Sequence, residues 1–372
     1  MSRAPLLVVA GEASGDRAAA AVLRHTQGAT FGFGGQALRA AGAELVGDLR
    51  HTTGMGLTLP LARAARLVRV FQRLVALARE RRPAVALLVN YTEFNLRLAR
   101  SLRPLGVRVV WYGAPQIWAW RANRARVLRG LVDRLCTMLP FEEALWQARG
   151  VDASYVGHPA CEVAALSRRE ARAVLALTER ASAIAVLPGS RPQEVRALLP
   201  AMLDAYERLR TDRASVDGRV FLAPSLDDAT LAWARGLAGA ASLEVVDVDA
   251  TAGIGRVLPA FNAAMVASGT ASLECAIADV VPVVAYRVGL VTELGARLLV
   301  ETPYVALPNV LLGRAAFAEL LQRDVTPQAL ALAVGRALDD EAGRAACADV
   351  RRALGPERTP SRTVARILDS WL

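Results

Sequence analysis

Short apolar runs alternate along the chain with longer stretches in which apolar residues recur every three or four positions. The first run, residues 6–10, ends at Gly11, and a turn through Gly15 leads into helical spacing that lasts to His25. The unit recurs: the pattern predicts strands at 85–89, 107–112 and 134–139, with helices over 61–82 and 93–102. After a polar, arginine-rich stretch at 162–181 the rhythm restarts. It predicts strands at 184–187, 220–223, 243–248, 264–267 and 281–286, the first followed by a turn at 188–191 and a helix to about residue 210. Short runs bounded by turns and separated by amphipathic helices are the pattern of parallel α/β sheets. Two successive arrays predict two Rossmann-like domains, 1–170 and 171–372, with the last helices able to pack back on the first. Helical stretches of unequal length exclude a solenoid.

Composition narrows the class. Of 372 residues, 53% are apolar and 22% charged, which suits large cores and excludes a disordered or solvating chain. Four cysteines (Cys136, Cys161, Cys275, Cys347) form no CxxC pair and three histidines (His25, His51, His158) are scattered. Neither a disulfide framework nor a metal centre is expected, and no cofactor is implied. Five apolar residues before Gly11 are too few for a signal core, and no stretch approaches the roughly 20 of a spanning helix. A cytoplasmic protein that meets any membrane from the side is expected. The charge stands out: 45 basic residues against 35 acidic, +10 net, and every basic residue is arginine. An arginine-biased genome accounts for the residue choice, but the guanidinium fork still suits phosphates and carboxylates. Anionic partners follow, nucleotide or lipid phosphate rather than nucleic acid, since no stacking or groove-reading module is visible.

Three strand-to-helix turns carry candidate chemistry. Leu187-Pro188-Gly189-Ser190-Arg191, with Glu194 one turn on, offers free backbone N–H groups, a helix dipole and a guanidinium to a diphosphate. Ser268-Gly269-Thr270-Ala271 repeats the layout, and Glu274 can accept from both ribose hydroxyls. Each alone reads equally as an ordinary glycine turn; two in one half, both at strand ends, point to a nucleotide. Gly11-Glu12-Ala13-Ser14-Gly15-Asp16 is too acidic for a phosphate and suits sugar hydroxyls, or else is a capped helix start with Ser14 or Asp16 as N-cap. Phe31-Gly32-Phe33-Gly34-Gly35 matches a dinucleotide fingerprint only weakly. Residues 111–121 hold Trp111, Trp118 and Trp120, half of the six tryptophans, and read as a sugar platform, a membrane anchor or a small core. On the helix at 61–82, Arg63, Arg66, Arg69, Arg73 and Arg79 interleave with Leu67, Val70, Phe71, Leu74 and Leu77, a pattern that suits an anionic lipid surface and equally a solvated helix.

Taken in order, these motifs resemble the bacterial lipid-A-disaccharide synthase family, glycosyltransferases of the GT-B type. The residues that carry the likeness are Gly11 to Asp16, Met55-Gly56, Glu93-Phe94-Asn95, Trp118-Ala119-Trp120-Arg121, Leu139-Pro140-Phe141-Glu142 and Gly157-His158-Pro159. Leu187 to Arg191 with Glu194, Ser268 to Ala271 with Leu273-Glu274, and Leu307-Pro308-Asn309 complete nine motifs, spread from about residue 6 to 330. The resemblance implies two Rossmann-like domains with parallel sheets facing across a cleft. The second would hold the UDP of UDP-2,3-diacylglucosamine through Gly189, Ser190, Arg191, Glu194, Ser268, Gly269, Thr270, Glu274 and Asn309. The first would hold 2,3-diacylglucosamine 1-phosphate through Gly11, Glu12, Ser14, Gly15, Asp16, Asn95 and Trp118. The product would be the β(1→6) disaccharide phosphate, made with inversion, without metal, at the inner face of the cytoplasmic membrane. Arg191 would stabilise the departing diphosphate.

Two positions depart from the family pattern. Where the family reads Asp-Ala-Pro-Asp-Phe-Asn, with its first aspartate the implied general base, this chain reads Asn90-Tyr91-Thr92-Glu93-Phe94-Asn95. An amide cannot take the proton of the acceptor's 6-hydroxyl, and losing a general base costs about 10²- to 10⁴-fold in rate. Near Leu59 a family glutamate is also missing. Three readings stay open: a synthase in which Glu93 or Glu12 replaces the base at Asn90, a GT-B transferase with a UDP-sugar and another acceptor, or a weakly active relative that binds UDP or lipid. A UDP-sugar epimerase shares the two-domain plan but calls for histidines in the cleft, and those here are poorly placed.

Overall fold

A computed structural model describes residues 4–49, 61–119, 124–179, 181–213, 215–287, 302–355 and 359–372. The chain forms two compact units, Met1–Glu162 with Glu357–Leu372, and Val163–Pro356. Met55-Gly56, Leu59, Trp120 and Arg121 lie outside the described residues.

The first unit is a seven-stranded parallel sheet, in sequence order β1 (Leu6–Ala10), β2 (Thr30–Gly34), β3 (Glu44–Asp48), β4 (Val85–Val89), β5 (Arg108–Tyr112), β6 (Arg134–Thr137) and β7 (Ala153–Tyr155). Helices α1 (Ala13–Leu23), α2 (Gln36–Ala40), α3 (Leu61–Arg81), α4 (Thr92–Leu102), α5 (Arg124–Arg129) and α6 (Pro140–Gln147) run between them. The spatial order is β3-β2-β1-β4-β5-β6-β7, so the winding reverses between β1 and β4. Every residue of β1 and of β4 is buried, as expected of strands covered on both faces. β2 replaces the weak fingerprint at 31–35. A Cβ on Gly32 would run into the Val8 carbonyl, so glycine is required there for β2 to lie against β1.

The second unit contains α7 (Arg168–Val174), β8 (Ser182–Leu187), α8 (Pro192–Asp212), β9 (Val216–Leu222), α9 (Asp228–Ala240), β10 (Glu244–Asp247), β11 (Ala263–Ala267), α10 (Thr270–Ile277), β12 (Val281–Tyr286), α11 (Leu307–Leu312), β13 (Glu319–Leu321), α12 (Pro327–Leu338) and α13 (Glu341–Ala353). Its parallel sheet runs β10-β9-β8-β11-β12-β13, with the reversal between β8 and β11. From Val163 on, the arginine-rich stretch belongs to this unit, and Arg172 ties it to the core. Arg172, only 3% exposed, donates to the carbonyls of Ala260, Thr178, Glu179 and Ala181 and to the Asn262 side chain. The same Asn262 Oδ1 accepts from the Ala183 amide of β8, 3.0 Å away.

The last helix, α14 (Pro360–Asp369), belongs to the first unit, where Val364, Ala365 and Leu368 join the apolar cluster of β1 and α1. The Ser361 amide and hydroxyl both donate to the Glu162 carboxylate. Among the described residues no helix is long and apolar enough to cross a membrane.

Candidate functional site

In a doubly wound sheet the loops at the carboxyl ends of the two strands flanking the reversal splay apart and leave a crevice. In the first unit those connections are 11–15, after β1 and running into α1, and 90–95, after β4 and running into α4. They touch: a Cβ on Gly11 would strike the Tyr91 ring, and one on Gly15 would come 3.4 Å from Asn90 Nδ2. Asn90 and Tyr91 are both left-handed, at φ 49° and 46°. Asparagine tolerates that conformation; a tyrosine there is strained, and its ring is held by stacking on Phe94 at 5.2 Å. Burial, with the Glu12 charge adding to it, pushes the Tyr91 hydroxyl up to about 12.

The expected acceptor residues divide into two sorts. Glu12 and Ser14 are half-buried at the start of α1. Asp16 is 4% exposed and caps a helix, but not its own: its carboxylate accepts from Gly35 N at 2.6 Å and Ala37 N at 2.9 Å, at the start of α2. Burial raises its pKa against those hydrogen bonds. Asn95 is fully buried beneath its loop, where Nδ2 donates to Asn90 O (2.8 Å) and Val89 O (3.4 Å). It holds the left-handed turn from below. Asn90 sits beside Gly113, where a Cβ would overlap Asn90 Oδ1. Glu93 is exposed and ion-paired with Arg124.

The tryptophan stretch also divides. Trp111 is core, 0% exposed, with Nε1 donating to Gly113 O. Trp118 is half-buried, edge-on to Phe141, and its Nε1 donates to Glu142 Oε1 at 3.1 Å. Glu142, which sequence reading left without a role, also accepts from Leu139 N; burial nevertheless pushes its carboxyl up to about 7. His158, 5% exposed, accepts from Ala160 N at Nδ1, and burial holds the imidazole down to about 4.

In the second unit the loops flanking the reversal are 188–191, after β8, and 268–270, after β11, the two turns expected to hold a diphosphate. Gly189 is at φ 120°, a conformation glycine alone adopts freely, and Arg191 caps the 21-residue helix α8. One expectation is corrected: the amides of this turn are not all free. Ser190 N donates to Glu194 Oε2 (3.1 Å), and Arg191 Nη1 lies 2.8 Å from Glu194 Oε1. Ser225, from the loop after β9, is bonded to Ser190 O, a neighbour no sequence signal marked.

Ser268, Gly269 and Thr270 are half-buried, with Gly269 at φ 148° ahead of α10 and Ser268 Oγ bonded to Val305 O. Glu274, 8% exposed, lies within α10. Asn309 needs a second correction. Its Nδ2 donates to Phe317 O and Glu319 Oε1, and its Oδ1 accepts from Ala316 N and Phe317 N. Both amide hydrogens and both lone pairs are used and the residue is 0% exposed, so it braces the 305–319 segment and has no capacity left for a ligand.

Comparison with known proteins adds to this geometry. A family model described as lipid-A-disaccharide synthetase matches residues 6–363. A lipid-A-disaccharide synthase of Anaeromyxobacter dehalogenans (strain 2CP-C) is 42% identical over 373 residues, spanning 98% of this chain and 96% of that protein. The UDP co-structure of MnaA from S. aureus superposes with a TM-score of 0.67 at 10% identity, covering 100% of this chain and 97% of that one. The spinosyn rhamnosyltransferase SpnG gives 0.61 at 13% identity, covering 99% and 100%. At these identities the two solved structures are a likeness of fold.

Proposed function

The chain belongs to the lipid-A-disaccharide synthase family, with the two parallel-sheet α/β domains of GT-B glycosyltransferases, and we propose that it joins 2,3-diacylglucosamine from its UDP donor to 2,3-diacylglucosamine 1-phosphate. Relatives aligned over nearly the whole chain favour this over a changed acceptor or an inactive relative. The observation that carries the site assignment is topological. In the second unit the two turns singled out by their chemistry flank the reversal of its sheet, and in the first the reversal is flanked by the acidic turn at 11–15 and by 90–95, the segment marked by the family resemblance. The anion-suited pair, 188–191 and 268–270, lies in the second unit; the hydroxyl-suited turn, 11–15, lies in the first with 90–95 beside it.

On this reading the acceptor's 6-hydroxyl oxygen bonds to the anomeric carbon as that carbon's bond to the diphosphate breaks. The configuration inverts, the electron pair leaves on UDP, and the hydroxyl proton passes to a base. Arg191, the amides of the 188–191 turn and the dipole of α8 would take up the charge on the leaving diphosphate. Arginine would then stand where a metal could otherwise serve, and the UDP co-structure of MnaA, a protein of like fold, supports a nucleotide diphosphate as ligand. Glu274 would hold the ribose. Of the two candidate bases, Glu12 is favoured: it is half-buried within electrostatic reach of Tyr91, beside Asn90, whereas Glu93 is exposed. Acylated substrates would keep the reaction at a membrane surface, on this reading the inner face of the cytoplasmic membrane, with the arginines of α3 toward anionic headgroups.

The test is mass spectrometry of products from both acylated substrates, with EDTA present, for the native protein and for Asn90→Asp, Glu12→Gln, Glu93→Gln and Arg191→Ala. Disaccharide phosphate from the native protein and Glu93→Gln, with a loss of about 10²-fold or more in Glu12→Gln and Arg191→Ala, is expected. No disaccharide from the native protein would overturn the assignment. Product from Glu12→Gln but not Glu93→Gln would move the base.

A further inference from the structure

The occupant of the 188–191 turn is a side chain of the protein itself. A phosphate bound there would take a backbone N–H from the turn and a guanidinium N–H from Arg191. Those are the donors Glu194 now holds, Ser190 N with Oε2 and Arg191 Nη1 with Oε1. The fit is close. An added Cβ on Gly189 would stand 2.6 Å from Glu194 Oε2 and 2.7 Å from Glu194 Cβ, so the turn is open on this side only because residue 189 is glycine. Glu194 is in the first turn of α8, the position where a carboxylate profits most from the helix dipole. The pair is half-buried, with side-chain exposures of 33% for Arg191 and 18% for Glu194.

We propose that Glu194 is an internal anion that holds the phosphate donors of this turn while the site is empty and is displaced by the diphosphate of the incoming nucleotide. The inference rests on the donor-site reading above and deepens it. It assigns Glu194 as a positioning residue and competitor, where sequence reading made it a ligand contact. The carboxylate keeps Arg191 seated over the turn. It also sets a threshold: a ligand that brings no phosphate has nothing to exchange for it. Because bound diphosphate and carboxylate carry like charge and want the same donors, removing the charge strengthens nucleotide diphosphate binding. A residue that merely touched the nucleotide would weaken binding when changed.

Isothermal titration of the full chain with UDP, and separately with uridine, distinguishes these. Glu194→Gln, nearly the same shape without the charge, is expected to bind UDP about three- to tenfold more tightly than the native protein. Its affinity for uridine should stay within about twofold, and Arg191→Ala should weaken UDP alone. Glu194→Asp, whose shorter side chain cannot span both donors, should fall between native and Glu194→Gln and serves if the glutamine variant folds poorly. UDP binding left unchanged or weakened in both Glu194 variants overturns the proposal while the donor site stands. No UDP binding by the native protein, or binding indifferent to Arg191→Ala, overturns the donor-site reading and this inference with it.

Discussion

Replacing Glu142 by glutamine should change how the first unit's stability depends on pH, by an amount the structure allows to be worked out. The carboxyl is 3% exposed and its pKa is raised from 4.5 to about 7 by burial, against hydrogen bonds from Trp118 and from the Leu139 and Met138 amides. Between those two pH values the folded state holds a proton that the unfolded chain has released. Stability from this group is therefore complete below pH 4.5 and lost as pH rises through about 7. About 7 less 4.5, at ~1.4 kcal/mol per pKa unit, makes the loss about 3 kcal/mol. His158, in the same unit, works the other way. Its pKa is lowered from 6.5 to about 4, so its contribution is present above pH 6.5 and lost as pH falls. The native profile is thus a partial cancellation, and only the difference between native and Glu142→Gln isolates the carboxyl. Glutamine can accept from Trp118 Nε1 or Leu139 N but not both, which costs about 1–3 kcal/mol at pH 5. By pH 8 the native protein has lost its ~3 kcal/mol, and the gap should close or reverse. Urea unfolding followed by tryptophan fluorescence suits the question, because five of the six tryptophans fall in the first unit. A stability difference that stays constant within about 0.5 kcal/mol from pH 5 to 8 would refute the reasoning.

Three further outcomes follow. Asn309→Ala leaves two backbone amides without acceptors and should destabilise the second unit by about 2–5 kcal/mol in thermal or urea melts; at temperatures where the unit stays folded, any effect on UDP affinity should be far smaller than that of Arg191→Ala. Gly32→Ala forces a methyl into the Val8 carbonyl between two neighbouring strands and should abolish soluble expression, whereas Gly236→Ala, in helix α9 with nothing within 4 Å, should express. Sedimentation with anionic vesicles should show binding that falls steeply between low and physiological salt and weakens when Arg66, Arg69 and Arg73 of α3 become glutamine; binding indifferent to salt would remove α3 as the lipid-facing element.

Strands buried on both faces were the plainest to sequence patterning, although it also found β10, which is exposed or half-exposed along its length. β1, β4 and β11 are apolar and buried at every residue, so a continuous run was all that was needed to see them. β7 and β13 escaped because they are three residues long, and β3, as long as β1, because none of its residues is buried and its ends are acidic. β2 escaped for a different reason. Phe-Gly-Phe-Gly has poor intrinsic strand propensity, and the demand for glycine comes from a neighbouring strand 24 residues away in register, Val8 against Gly32.

The site divides along a similar line. A glycine turn between an apolar run and a helix is a local signal, and three of the four segments at the two sheet reversals were visible from it; the fourth, 90–95, holds no glycine and was marked only by the likeness to the family. Which polar side chains in those loops remain available to a ligand is not local. Asp16 is spent on Gly35, 19 residues on; Asn309 on Glu319, 10 residues on; and Asn95 on the carbonyls of the turn it supports. A motif letter reads the same whether its side chain grips a substrate or grips the loop that does. Buried amides and carboxylates must satisfy their hydrogen bonds before anything else, so the most buried motif residues are the least able to bind. By that criterion the readiest phosphate-binding groups of the second unit are the backbone of two turns and the guanidinium of Arg191, with Glu274, 8% exposed, left to the ribose. The competition between Glu194 and an incoming phosphate for that guanidinium then becomes the step at which the empty site and the loaded site differ.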